Sequence, residues 1–263
     1  MGLKPTVLKL GGSVITDKEN PLTPNMRAIA RLADEISRAD AKQLILVHGG
    51  GSFGHPVAEQ YGIVDGYVHQ SQVLGFAATH LAMTLLNSWV MEALISRNVP
   101  AVEVHPSSCL VTNDGRITNM ELKPLKKMLK MGVVPVLYGD AIFDSKKGFT
   151  ILSGDQLVSY LAIKLGAQQV VMGADVDGLF TADPKTNHSA KLIEHVSLEE
   201  LKSVEHQIGG SKATDVTGGM FGKMREIKIA MEHDIKTVIV NATRSGRVYK
   251  ALRGEKVVGT VIE

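Results

Sequence analysis

The chain has 263 residues, 44% apolar and 21% charged, an ordinary globular balance with enough apolar material for one large α/β domain or two closely packed lobes. A net charge of +2 excludes a general nucleic-acid binder, whose footprint is a marked basic excess. The lone cysteine, Cys109, excludes an intrachain disulfide and fits a reducing, cytoplasmic setting. No run of about 18 uncharged apolar residues reads as a membrane span, and Met1–Pro5 leads into a strand rather than a signal peptide.

Thr6–Leu10 reads as a strand running into Gly11-Gly12-Ser13, and Pro24–Arg38 as a helix with Ile29, Leu32, Ala33 and Ile36 on one face. Gln43–Val47 is the next strand, and it stops at a glycine loop, Gly49-Gly50-Gly51-Ser52-Phe53-Gly54-His55. Gln72–Asn98 is a long helix, apolar on most of its surface; such helices are buried or line a cavity. Ala101–His105 is a short strand, Pro124–Met131 a helix with a proline start, and Val133–Tyr138 a strand opening onto Gly139-Asp140. Between these lie two hairpin-like stretches. Ser108–Thr112 and Arg116–Asn119 flank Asn113-Asp114-Gly115, and Phe143 and Phe149–Leu152 flank Ser145–Gly148. A third glycine turn, Ser153-Gly154-Asp155, precedes a helix from Gln156 to Leu165. Strand Gln169–Met172, helix Leu198–Ser203, a fourth glycine turn at Thr217-Gly218-Gly219, helix Gly222–His233 and strand Thr237–Asn241 complete the order. Alternating strands and helices predict an α/β fold, a mostly parallel sheet covered on both faces. No Pro- or Ser-rich linker divides it, so any two lobes share one continuous sheet.

The glycine turns carry the chemistry. Glycines permit turns that a Cβ forbids and leave N–H groups free to approach an anion, so phosphate is their natural guest. Gly49-x-Gly51-x-x-Gly54 matches a dinucleotide fingerprint, but Pro56 follows at once and no second strand with an acid stands at the required distance. A Walker A loop is absent too, since Met224 follows Lys223 where Ser or Thr is needed. Lys9, at a strand end directly before Gly11-Gly12, suits a compact cation facing phosphate oxygens. His55 stands just past the second glycine loop, where a phosphate-holding turn needs charge. Lys18 is equally a surface charge or a phosphate contact. Lys223 begins a helix after glycines, which favours phosphate at a helix N-terminus. Asp155 caps the following helix, orients lysines or approaches magnesium. Asp175 and Asp177 follow a strand and are ambiguous on chemistry alone. His48 and the other histidines read as structural, and His48 with His55 makes no convincing metal site.

Three segments in order, Lys9-Leu10-Gly11-Gly12-Ser13, the Gly49-Gly50-Gly51 loop and Asp175-Val176-Asp177-Gly178-Leu179-Phe180-Thr181-Ala182-Asp183-Pro184-Lys185, resemble the amino-acid kinase superfamily across essentially the whole chain. The Gly49–Pro56 loop, Pro106-Ser107-Ser108, Ser153-Gly154-Asp155 and Asp215–Met220 resemble its isopentenyl phosphate kinase branch. That resemblance implies an open αβα sandwich, with residues 1–165 holding the phosphoryl acceptor and 166–263 holding ATP. It implies ATP-dependent phosphorylation of isopentenyl phosphate, with Mg²⁺ carried by the nucleotide, no dedicated metal ligands and a homodimer with neither nucleic-acid nor membrane partners. His55 is then expected on the acceptor phosphate with Gly50, Ser52, Gly54 and Gly154. Lys9, Lys18 and Lys223 are expected on the transferring and nucleotide phosphates, and Asp155 beside them. Gly11, Gly12, Ser13, Gly51, Asp175, Asp177, Phe180, Asp183, Lys185, Gly218 and Gly219 fall on the ATP side. For the apolar tail of the acceptor, Val73 and Phe76 on the Gln72–Asn98 helix are the candidates. A fosfomycin-type or other small phosphate or phosphonate kinase is the alternative acceptor reading. Amino-acid acceptors fit poorly, for want of an acid cluster to hold an ammonium. A nucleotide-binding metal-oxyanion storage protein of the same fold is the non-enzymatic alternative, opposed by the presence of both Lys9 and His55.

Overall fold

The computed structural model describes residues 2, 4–182, 186–187, 189–200 and 219–263, the last segment with side chains from residue 222. The first half runs β1 (Thr6–Leu10), α1 (Gly12–Ile15), α2 (Met26–Ala39), β2 (Leu44–His48), α3 (Gly51–Gln60), α4 (Ser71–Ile95) and β3 (Ala101–Glu103). It continues with α5 (Pro106–Cys109), β4 (Leu110–Asn113), β5 (Arg116–Met120), α6 (Lys123–Lys130), β6 (Val134–Tyr138), β7 (Asp140–Asp144), β8 (Gly148–Leu152) and α7 (Gly154–Leu165). Beyond these come β9 (Gln169–Ala174), β10 (Leu179–Phe180), β11 (Leu192–Ile193), β12 (His195–Val196), α8 (Gly219–Met231), β13 (Lys236–Asn241), α9 (Arg247–Leu252) and β14 (Gly259–Ile262).

One eight-stranded sheet, in the order β12-β14-β13-β9-β1-β2-β6-β3, runs through the molecule. From β13 to β3 every pairing is parallel; β14 joins β13 antiparallel, and β12 pairs with β14 in parallel at the edge. Strands buried on both faces need apolar side chains at consecutive positions, which is why Thr6–Leu10 and Leu44–His48 are buried along their whole length. Alternation then sorts them. Leu8, Leu10 and Leu46 pack with α2, α4 and α9, while Val7, Ile45 and Val47 pack with α6, α7 and α8. The result is the expected αβα sandwich.

The hairpins form a second sheet, β5-β4-β7-β8. Asp114 and Gly115 both take positive φ, 51° and 79°, so the first turn is the two-residue type that twisted hairpins favour. The Asp144 carboxylate staples both hairpin turns. It accepts from the backbone N–H groups of Asp114 (3.1 Å), Gly115 (2.8 Å), Lys146 (2.9 Å) and Lys147 (2.8 Å), and from the Thr112 hydroxyl (2.7 Å). Burial alone would raise its pKa, but these donors hold it well below the usual carboxylate range.

Two differences from the sequence expectation stand out. The stretch from Gly51 is not a loop but helix α3, with His55 and Pro56 inside it. Two glycines and a proline argue against a helix, yet burial of Phe53 and Ala58 overrides that weak preference. The expected helix Leu198–Ser203 lies partly outside the described residues. Finally, α4 is long and apolar enough to cross a membrane by length and composition, but it is a packing helix here, with Ala82, Met83, Leu86, Val90 and Leu94 in the core.

Candidate active site

The carboxyl ends of β1, β2, β6 and β9 deliver Gly11-Gly12, Gly49–Gly51, Gly139-Asp140 and Ala174-Asp175 to one cleft of about 620 Å³. β1 is where the sheet changes direction of growth: β2 lies on one side of it and β9 on the other. Crevices at such switch points are where open α/β sheets bind ligands. Helices α3 and α7 start at the same cleft, with Gly51 and Gly154 on its wall and the positive ends of both helix dipoles toward it.

The first two glycine turns pack backbone against backbone. A Cβ on Gly12 would stand 2.2 Å from the Gly51 nitrogen. Gly51 itself has φ +50°, and its Cβ would meet the Thr16 hydroxyl at 2.2 Å. That hydroxyl donates to the Gly12 carbonyl (2.9 Å) and accepts from the Ser52 N–H (3.1 Å), locking α1 to α3. These glycines therefore serve close approach as much as phosphate access.

At the bottom of the cleft, Asp155 stands between two ammonium groups. Its Oδ2 lies 2.6 Å from Lys9 Nζ and its Oδ1 3.0 Å from Lys223 Nζ. Lys9 is only 6% exposed and Asp155 9%. Burial pulls the Lys9 pKa down to about 8, opposed by the attraction of Asp155 and aided by repulsion from Lys223. Burial pushes Asp155 the other way, but the Lys223 and Lys9 charges prevail and hold its carboxyl well below the usual range. The helix cap expected of Asp155 is supplied instead by Ser153, whose hydroxyl accepts from the N–H groups of Asp155 (3.1 Å) and Gln156 (3.4 Å). Asp155 is thus free to face the lysines.

At the rim, Lys18 pairs with Asp175 from the end of β9. His55 lines the cleft from the first turns of α3, beside Ser52, Gly54 and Pro56. Thr79 and Met83 of α4 line the cleft with Ile151 and Leu152 of β8, adding apolar surface to a charged cleft, and the Met83 sulfur lies close against Gly50 and Gly54. Asp140 closes that region; its carboxylate meets His80 Nδ1 at 3.0 Å and accepts from the Ala141 N–H at 2.8 Å. The Asp140 hydrogen bond, first among its effects, raises the His80 pKa. His48 is structural, as expected: buried, stacked on Tyr138 and bonded to Asn87 at 3.2 Å, with burial lowering its pKa.

Of the residues singled out from sequence, Lys9, Gly11, Gly12, Ser13, Lys18, Gly50, Gly51, Ser52, Gly54, His55, Gly154, Asp155, Asp175 and Lys223 meet at this cleft. Val73 and Phe76 do not. The inward face of α4 recurs at Gln72, Gly75, Thr79, Ala82, Met83 and Leu86, so Val73 turns out to solvent. Phe76 packs behind the wall against Phe143 and Phe149. Asp177 is engaged by Arg247 (2.7 Å) and Asn241 (2.8 Å) rather than on the cleft wall, and Phe180 lies in the β10–β11 pair. Gly219 opens α8, one helical turn before Lys223. Asp183, Lys185 and Gly218 lie outside the described residues. The sequence reading missed Thr16, Thr79 and the His80–Asp140 pair. Only Asp140 had a usable signal, being placed after a strand and a glycine like the other cleft turns.

The amino acid kinase family model matches residues 4–241. An isopentenyl phosphate kinase of Methanothermobacter thermautotrophicus is 40% identical over 97% of this chain and 98% of its own length. One from Methanocaldococcus jannaschii is 37% identical over 98% of each chain. A solved isopentenyl phosphate kinase structure superimposes with a TM-score of 0.87 at 36% identity, covering 98% of this chain and all of its own.

Proposed function

The chain belongs to the amino acid kinase family, and from that premise we propose that it phosphorylates isopentenyl phosphate with ATP, giving isopentenyl diphosphate and ADP. The observation that carries the reading is the convergence of Lys9, Lys18, His55 and Lys223 on one cleft that Met83, Ile151 and Leu152 also line. The near full-length likeness to isopentenyl phosphate kinases supports the acceptor. A polar phosphonate acceptor of the fosfomycin type fits less well against Met83, Ile151 and Leu152.

In this reading a phosphate oxygen of the acceptor attacks the γ-phosphorus in line as the bond to the leaving ADP oxygen breaks. A phosphate oxygen is already a competent nucleophile, so no general base is required. The enzyme's task is to bring two anions together and neutralise charge as it spreads over the transferring group. His55 holds the acceptor phosphate, assisted by N–H groups at the starts of α3 and α7. Lys9 and Lys18 face the transferring group, Lys223 faces the ATP phosphates, and Asp155 holds Lys9 and Lys223 in place between turnovers. Both carboxylates on the phosphate side, Asp155 and Asp175, are engaged by lysines, which suits a magnesium ion held chiefly by nucleotide oxygens. When bound, that ion supplies further neutralisation of the β- and γ-phosphates.

Residues 1–165 then form the acceptor lobe and 166–263 the nucleotide lobe of one sheet, in a cytoplasmic enzyme. A homodimer belongs to the same reading. The outer face of α4 exposes Leu74, Leu81, Leu85 and Trp89 as a continuous apolar stripe, the kind of surface a second copy covers. Phosphorus NMR with Mg²⁺–ATP tests the activity, with isopentenyl phosphate in one tube and fosfomycin in another. A new diphosphate pair alongside ADP in the first tube only is expected. Product in the second tube only would move the function to a phosphonate kinase.

A further inference from the structure

Helices α7 and α8 meet through two polar rungs. The first is Asp155 with Lys223. The second lies one turn further along both helices: Ser159 Oγ donates to Glu226 Oε2 at 2.6 Å. Asp155 and Ser159 are four residues apart and Lys223 and Glu226 three, so each pair shares one helix face. Arg116, the first residue of β5, closes on Glu226 from the hairpin. Its Nη1 contacts Oε1, and Nη2 reaches Oε2 at 3.3 Å. The same hairpin is anchored to α7 by Gln156, next to Asp155. Its side chain accepts from the Ile117 N–H (2.7 Å) and donates to the Gly115 carbonyl (2.8 Å).

We propose that Arg116, Glu226 and Ser159 form a positioning cluster that fixes the register of α8 on α7 and so holds the Lys223 ammonium in the cleft. The Glu226 side chain is 8% exposed and carries a charge that a well-packed apolar residue could replace without loss of stability. A buried carboxylate with directional partners on two other elements does what an apolar contact does not: it defines one register and penalises a slide or a rotation. One turn of α8 separates that fixed point from the phosphate-facing lysine. The hairpin thereby ties the acceptor side of the molecule to a charge on the nucleotide side. The proposal rests on the reading that Lys223 faces nucleotide phosphates.

The test is steady-state kinetics with ATP and isopentenyl phosphate on Arg116→Gln, Glu226→Gln, Lys223→Ala and the charge-exchanged double variant Arg116→Glu/Glu226→Arg. The Arg116 side chain is 42% exposed and Ser159 still donates to Glu226 without it, so circular dichroism, which should match wild type, confirms the fold of Arg116→Gln before kinetics. Displacing Lys223 is expected to lower kcat about tenfold in Arg116→Gln, from misplacement of a transition-state contact. The acceptor KM should stay within about twofold. A structural defect would not move the pH profile, but loss of Lys223 from its place would. The groups facing Lys9 are Asp155 and Lys223, and Lys223 lowers its pKa. The alkaline limb of kcat/KM for ATP should therefore move upward from about pH 8 in Arg116→Gln, and likewise in Lys223→Ala. The exchanged pair should recover part of the rate. Wild-type kcat and an unmoved limb in Arg116→Gln, with Lys223→Ala impaired, would overturn the positioning role alone. Wild-type turnover in Lys223→Ala would overturn the reading of Lys223 and this proposal with it.

Discussion

The floor and the rim of the cleft hold their lysines in opposite ways. On the floor, Lys9 is buried against Asp155, which also takes Lys223, and its proton is lost more easily than from an exposed lysine. At the rim, the Lys18 side chain is 53% exposed and pairs directly with Asp175 at the solvent boundary. A buried charge cluster is expensive to assemble and costly to break, so its geometry is set before substrate arrives. A solvated pair contributes little to stability. The floor is pre-organised for charge developing in the transition state, whereas the rim adapts to what enters.

The largest effect should come from the floor. Lys9→Met is expected to lower kcat by about 10³, the scale of losing a charged transition-state contact in a dry site; rapid-quench measurement of ADP formation checks it. His55→Ala should lower turnover of isopentenyl phosphate by about 10² while nucleotide affinity, measured by calorimetry, stays near wild type. Wild-type-like turnover would remove His55 from the mechanism. Asp155→Asn sharpens the contrast, because it leaves two ammonium groups buried without their shared partner. It should cost about 3 kcal/mol of folding stability in urea titrations. It should also shift the alkaline limb of activity below about pH 8, since Asp155 is what raises the Lys9 pKa. Lys18→Ala should cost only about tenfold in kcat and leave the urea midpoint unchanged, as an exposed pair predicts. Smallest is the apolar end. Met83→Ala should raise the relative kcat/KM for longer-chain alkenyl phosphates by several-fold, about the discrimination that a few methylenes allow. Phe76→Ala, behind the wall, should move the chain-length profile less.

The sheet was legible because Thr6–Leu10, Leu44–His48 and Val134–Tyr138 are largely apolar runs, buried along their whole length as doubly covered strands are. Much of the cleft was legible for a related reason: each of these runs ends in a glycine, and parallel strands present their ends together. What sequence concealed was orientation. The start of α3 reads as loop until Phe53 and Ala58 find a core, and that packing puts His55 on a helix. Val73 and Met83 looked alike as apolar residues of α4, yet only the helix rotation set by the core decides that Met83 reaches the cleft. Asp155 read equally as a cap or a charge partner, and Ser153 took the cap. The His80–Asp140 pair joins residues 60 positions apart, and no local pattern announces it.

The central claim is that a buried, environment-tuned Lys9 faces the transferring phosphoryl group. The pH dependence of kcat/KM for ATP reports groups on the free enzyme and tests it most directly. The account predicts a fall above about pH 8, where Lys9 gives up its proton, and loss of that limb in Lys9→Met. A profile that stays level toward the ordinary lysine value of 10.5 would contradict it.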